Sequence, residues 1–123
     1  MNMTDNHDAR MAGITFASVY PLYLEKVVKK GRTKKELDQV IEWLTGYDER
    51  RVNALFEEKA TFEQFLRNAR FHPNAHLISG VICGYCVEEI RNTLTQKVRY
   101  LDKLVYELAK GRRMEKIMRQ PAP

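Results

Sequence analysis

Thr33-Lys34-Lys35-Glu36-Leu37-Asp38-Gln39-Val40-Ile41-Glu42-Trp43-Leu44-Thr45-Gly46 carries a start, a face and a stop. Thr33 with Glu36 three residues on is a capping box. The hydroxyl and the carboxylate each satisfy a backbone N–H that a helix leaves bare at its start. Leu37, Val40, Ile41 and Leu44 then recur at three- and four-residue steps, one face of a 3.6-residue period. Gly46 is suited to the left-handed conformation that ends many helices. The stretch reads as an amphipathic helix, which needs an apolar core to lie on.

The same grammar extends outward. Upstream, Gly31 closes a helix running from about Ser18 to Lys30, with Ser18 as its N-cap and Pro21 tolerated in its first turn. Leu24, Val27 and Val28 are its apolar face. Phe16, Val19, Tyr20, Leu22 and Tyr23 surround its start. Downstream, Asp48 caps a third helix carrying Val52, Leu55 and Phe56. Thr61-Phe62-Glu63-Gln64 is a second box-like start, and Phe62, Phe65, Leu66 and Ala69 form the stripe that follows. The longest helix is expected from Thr93 to Lys110, on Leu94, Val98, Leu101, Leu104, Val105 and Leu108, with Gly111 as its stop. Arg99 and Asp102 lie one turn apart and can pair. A short last helix, Arg112 to Arg119, presents Met114, Ile117 and Met118.

Residues 71–86 resist this reading. Pro73 pushes His72 out of the helical region. Leu77 to Gly84 is apolar and short enough for a strand, but no partner strand is evident, so irregular or short helical structure packed inside is favoured. A helical turn is expected near Glu88 to Asn92. The fold class is therefore all-α or nearly so: a bundle of about five or six short helices with an irregular apolar segment at 71–86. Residues 13–119 are expected to form one helical domain, with loose tails at 1–12 and 120–123.

Composition agrees with a globular chain. Of the 123 residues, 44% are hydrophobic and 30% charged, too apolar for whole-chain disorder. A chain of this length buries roughly two thirds of its unfolded surface, enough for a core without disulfides or a structural metal. No apolar run approaches the roughly 18 residues of a membrane span, and no secretory leader is recognisable. Membrane partners are not expected. Cys83 and Cys86 are too close in sequence to staple a fold, which favours a reducing compartment, the cytoplasm by default.

The net charge of +5 is unevenly spread. Lys29, Lys30, Arg32, Lys34 and Lys35 fall in an acid-free window with Lys26. Arg112 and Arg113 begin a second cluster with Lys110, Lys116 and Arg119. Such clusters attract phosphate or acidic partners, but cations are also favoured at helix C-termini for their own sake. Neither cluster is interleaved with aromatic residues for base stacking, and nucleic acid is disfavoured as a partner. A helix-turn-helix reading of 33–59 fails on the mixed charge of its second helix.

Cys83-Gly84-Tyr85-Cys86 has redox spacing, but no thioredoxin-like pattern surrounds it, and Glu88 and Glu89 disfavour a thiolate. His72, His76, Cys83 and Cys86 have the donor types for tetrahedral zinc. Pro73 and Asn74 interrupt the histidine half, so these four are candidates only and no metal site is expected there. Tyr20, Tyr23, Trp43, Tyr47 and Tyr100 are pocket candidates that serve equally as core aromatics. No phosphate loop, nucleophile elbow or His-Glu-x-x-His motif is present.

Four stretches carry a family likeness: Phe16-Ala17-Ser18-Val19-Tyr20-Pro21-Leu22-Tyr23, Trp43-Leu44-Thr45-Gly46-Tyr47, Arg99-Tyr100-Leu101-Asp102-Lys103-Leu104, and Ala109-Lys110-Gly111 with Met114-Glu115-Lys116-Ile117. Over about residues 14–119 the chain resembles the uncharacterised bacterial family called domain of unknown function 2200. The resemblance implies a compact bacterial domain and brings no activity, cofactor or catalytic residue. The expectation is thus a small cytoplasmic binding or interaction module without cofactor or catalysis, with a homodimer as the oligomer considered. Whether it is an enzyme is left open. The rivals are a zinc protein or enzyme using His72, His76, Cys83 and Cys86, and a weak nucleic-acid binder using the basic helix ends.

Overall fold

The structure, a computed structural model, describes residues 13–82 and 84–119, apart from the side chain of Tyr85. The expected tails at 1–12 and 120–123 lie outside the described residues, as does Cys83. Six α-helices occur among the described residues: α1 (Phe16–Val28), α2 (Lys34–Thr45), α3 (Glu49–Glu57), α4 (Phe62–Arg67), α5 (Thr93–Ala109) and α6 (Met114–Ile117). The architecture is the expected helical bundle.

The chain between α4 and α5 has the short helical structure expected of it, and departs from expectation in a hairpin. It makes a 3-10 turn (Pro73–Leu77), then a hairpin of β1 (Val81–Ile82) and β2 (Tyr85–Cys86), then a second 3-10 turn (Val87–Glu89). The strand does have a partner, directly across a tight turn. Val81 pairs with Cys86 and Ile82 with Tyr85, and Gly84 takes the positive φ of 84°. The backbone bond from Val87 to the Gly80 carbonyl (2.9 Å) continues the ladder.

The helix starts follow local chemistry. In α2 the box closes both ways: Glu36 N–H donates to Thr33 Oγ1 (3.1 Å) and Thr33 N–H to Glu36 Oε1 (2.9 Å). Asp48 accepts from Arg51 N–H (2.7 Å) to cap α3, and Thr61 with Gln64 closes the box of α4. The first helix begins earlier than Ser18, because tertiary bonds fix the chain ahead of it. Phe16 N–H donates to Ala60 and Phe62 N–H to Ile14 (2.9 and 2.7 Å), so Thr15 becomes the cap and Ser18 its donor. Pro21 consequently sits in the second turn, on the exposed side, where the Ala17 carbonyl loses its helical donor.

α5 is the central helix, packed on α1, α2 and α4. Val98, Leu101, Leu104, Val105 and Leu108 are fully buried within the chain. Phe16 anchors an aromatic cluster, stacked on Phe65 with centroids 3.8 Å apart and flanked by Tyr20, Phe56 and Phe62. Two polar groups are sunk into this packing. The expected Arg99–Asp102 pair forms at 2.7 Å, and Asp102 also accepts from the Tyr23 hydroxyl (2.6 Å), tying α1 to α5. Glu107 receives a two-pronged contact from Arg119 (2.6 and 2.7 Å) and a third from Arg112 (3.0 Å).

Candidate functional site

α2 buries Leu37, Val40 and Leu44 in the core, which turns Lys34, Lys35, Asp38, Gln39 and Glu42 to its other side. α3, joined to it by a short link, turns Glu49, Val52, Asn53 and Phe56 towards the same space. Between them, with Tyr20 of α1 as a third wall, lies a groove of about 450 Å3. Its floor is aromatic: the Tyr20 and Phe56 rings meet edge to face, 5.2 Å between centroids. Val52 and Phe56 stay half-buried, so apolar surface is left for an occupant.

The polar groups of the groove are not equivalent. The Tyr20 hydroxyl donates to Asp38 Oδ1, while the Lys34 ammonium meets Asp38 Oδ2 at 2.8 Å and lies 5.6 Å over the Tyr20 ring. Asp38 is thus satisfied from two sides. Burial, then the bond and charge of Asp38, hold the Tyr20 phenol well above its ordinary range. Tyr20 therefore acts here as a hydrogen-bond donor, not as a base. Glu42 has no ion-pair partner among the described residues. Burial first, then the negative charges of Asp38, Glu49 and Asp48, push its carboxyl up. The groove offers an aromatic floor and an unmatched carboxylate, an arrangement that can hold a cation with an apolar stem.

Of the five aromatics suggested by sequence, Tyr20 lines this groove. Tyr23 is committed to Asp102, Tyr47 donates to the Phe65 carbonyl (2.7 Å), Trp43 stacks on His72 (4.5 Å) and Tyr100 lies against Phe71. Lys34 and Lys35, expected as part of a basic cluster, also line it. Lys29, Lys30 and Arg32 lie at the end of α1 and meet the second cluster, since Arg32 Nη1 donates to the Arg112 carbonyl (2.8 Å) beside Arg113. Asp38, Glu42, Glu49 and Asn53 were legible only as solvated helix faces. The signal for the groove is Val52 with Phe56, an apolar pair one turn apart that flanks the core residue Leu55 and exceeds what the core takes up.

The zinc candidates are spread along the irregular segment. Asn74 N–H donates to His72 Nδ1 (2.9 Å), and His76 Nδ1 sits 2.7 Å from the Pro73 carbonyl. Cys86 is a half-buried free thiol at the hairpin, and Cys83 lies outside the described residues. Among the described residues, no three of His, Cys, Asp and Glu gather in a way that would hold a metal ion. Nor is any helix among them long and apolar enough to cross a membrane.

Fold and groove together define a small helical-bundle protein with an amphipathic cleft between two of its helices. The chain belongs to a family described as an uncharacterized protein conserved in bacteria, DUF2200, whose model matches residues 10–119. It is also similar to a solved structure titled "Crystal structure of uncharacterized protein SP1917", with 38% identity and a TM-score of 0.83 over 89% of this chain and 90% of that one. No curated protein matches the chain.

Proposed function

We propose that the protein is a non-catalytic binding module of the bacterial cytoplasm whose α2–α3 groove takes an organic cation on an apolar stem. A lysine or arginine side chain of a partner and a free alkylamine share that chemistry. The observation that carries this reading is Glu42: a carboxylate raised first by burial and then by neighbouring acids, beside the Tyr20–Phe56 floor. A bound ammonium would relieve the repulsion around Glu42 while its methylenes cover Val52 and Phe56. Asp38 is already matched by Tyr20 and Lys34, so Glu42 is the anchor left open.

Backbone NMR titration with pentylamine, pentanoate and a lysine-bearing tetrapeptide tests this. The two cations should give saturable shifts at Glu42, Val52 and Phe56, and pentanoate none. Glu42→Gln should weaken the cations about tenfold or more, the equivalent of a charge-assisted contact of roughly 1.5–3 kcal/mol. Tighter binding of the peptide than of pentylamine would indicate a protein partner; the reverse would indicate a free amine. Shifts that never saturate, or that survive Glu42→Gln unchanged, would overturn the reading.

A further inference from the structure

Two basic clusters about eighty residues apart in sequence form one end of the bundle. α1 and α5 finish side by side in matching turns: Gly31 and Gly111 adopt φ of 86° and 88°, and Arg32 and Arg112 N–H reach back to the Val27 and Glu107 carbonyls. Arg32 then bridges the turns through the Arg112 carbonyl and holds Glu36 at 2.8 Å. Residues 25–33 and 107–119, clear of the groove, hold nine Lys and Arg against three Asp and Glu, so this end is +6 and the rest of the chain, at +5 overall, is −1. The charge asymmetry is a property of the fold.

Several of these cations are free to act. Lys30 and Lys116 have no ion pair among the described residues. Lys29 and Arg113 make only loose contacts (3.5 and 3.8 Å) with side chains 72% and 82% exposed. We infer that this end is a docking surface for the phosphate backbone of duplex nucleic acid, independent of the groove. Phosphate contact needs clustered cations and no apolar anchor, whereas a protein interface needs a desolvated apolar centre. The apolar groups that reach solvent here are isolated. Val28 is flanked by Lys29, and Lys103 and Lys110 already lie over the Tyr106 ring at 5.2 and 5.5 Å. With that ring covered, stacking of single-stranded bases has no platform. The surface reads charge and spacing, not sequence.

The test is salt-dependent binding of the full chain to a random-sequence duplex, followed by fluorescence anisotropy. Four phosphate contacts, from Lys29, Lys30, Arg113 and Lys116, predict a slope of log K against log salt of about −3.6, a loss of roughly a hundredfold between about 50 and 200 mM. Lys30→Gln with Arg113→Gln should halve that slope to about −1.8 and leave Tm unchanged, because both side chains are exposed. Arg91→Gln is the control, at the far end of the seventeen-residue helix α5, about 25 Å away. It should leave the slope as it is. If the double variant folds poorly, Lys116→Gln with Lys29→Gln reads the same slope. No duplex binding, a slope untouched by either double variant, or tighter binding of polyglutamate than of duplex would each overturn the inference.

Discussion

Removing the Glu107 carboxylate should detach the last turn of the protein. Glu107 is 5% exposed on α5 and holds Arg119 and Arg112, which flank α6 on either side. Ile117, fully buried, is the apolar pin between them, and Asn74 adds a bond to the Arg119 carbonyl (3.0 Å). In Glu107→Ala the Arg119 side chain, 13% exposed, is left as an uncompensated near-buried charge. Breaking such a pair from one side costs about 3–5 kcal/mol. At roughly 4 °C per kcal/mol for a chain of this size, Tm should fall by about 12–20 °C. Arg119→Gln alone should cost less, since Arg112 still pairs with Glu107 (3.0 Å). Replacing both by Gln should recover more than half the loss, because two neutral amides carry no orphaned charge. Thermal denaturation of the unsubstituted protein, Glu107→Gln, Arg119→Gln and the double Gln variant gives the full cycle. A Glu107→Ala shift below about 3 °C, or a double variant as poor as the sum of the singles, would refute the latch.

Gly46→Ala and Gly31→Ala separate two effects. Both glycines have positive φ, costing about 1–2 kcal/mol for alanine, but a Cβ at Gly46 would lie 2.6 Å from the Arg70 carbonyl while Gly31 meets open space. Gly46→Ala should therefore lower Tm by at least twice as much as Gly31→Ala. Glu42→Gln should raise Tm at pH 7. The folded carboxyl binds its proton more tightly than the unfolded one, so stability falls as pH rises through the carboxylate range, and the advantage of Gln should vanish below about pH 4, where both forms are neutral. Cation binding to the groove should weaken as pH falls through the raised Glu42 titration, at a higher pH than an ordinary glutamate would give. Protein purified without chelator should carry less than about a tenth of an equivalent of zinc, and chelator should leave Tm unmoved, because the His72 Nδ1 is already committed to Asn74.

The helices were legible where one local signal decided the matter. Thr33 with Glu36 and Thr61 with Gln64 fixed two starts without reference to the rest of the chain, and the stripe from Val98 to Leu108 marked the central helix. Sequence erred where a distant segment intervened. Ser18 is as good a cap as Thr15 by chemistry; only the bonds of Phe16 and Phe62 to the opposite strand of chain, through Ala60 and Ile14, select the earlier start. The hairpin at 81–86 was obscured for a different reason. Its strands are two residues long, too short for an alternation of burial to register, and they pair with each other across Gly84 instead of with a distant strand.

The groove was harder to read than the fold, because it is made of what the core did not use. Periodicity reports which face of a helix is buried, and says nothing of two polar faces meeting on the far side. Asp38 and Glu42 lie one turn apart on α2, and their spacing alone suggests a solvated face that repels itself. The distinction between them arises only from three dimensions: Tyr20, brought from α1, matches Asp38 together with Lys34, and leaves Glu42 facing Glu49. The basic end has the same origin. Each cluster alone is what any helix C-terminus favours, so neither carried weight in the sequence. Their meeting through Arg32 and Arg112 is a consequence of α1 and α5 ending at the same level, which no local reading can supply.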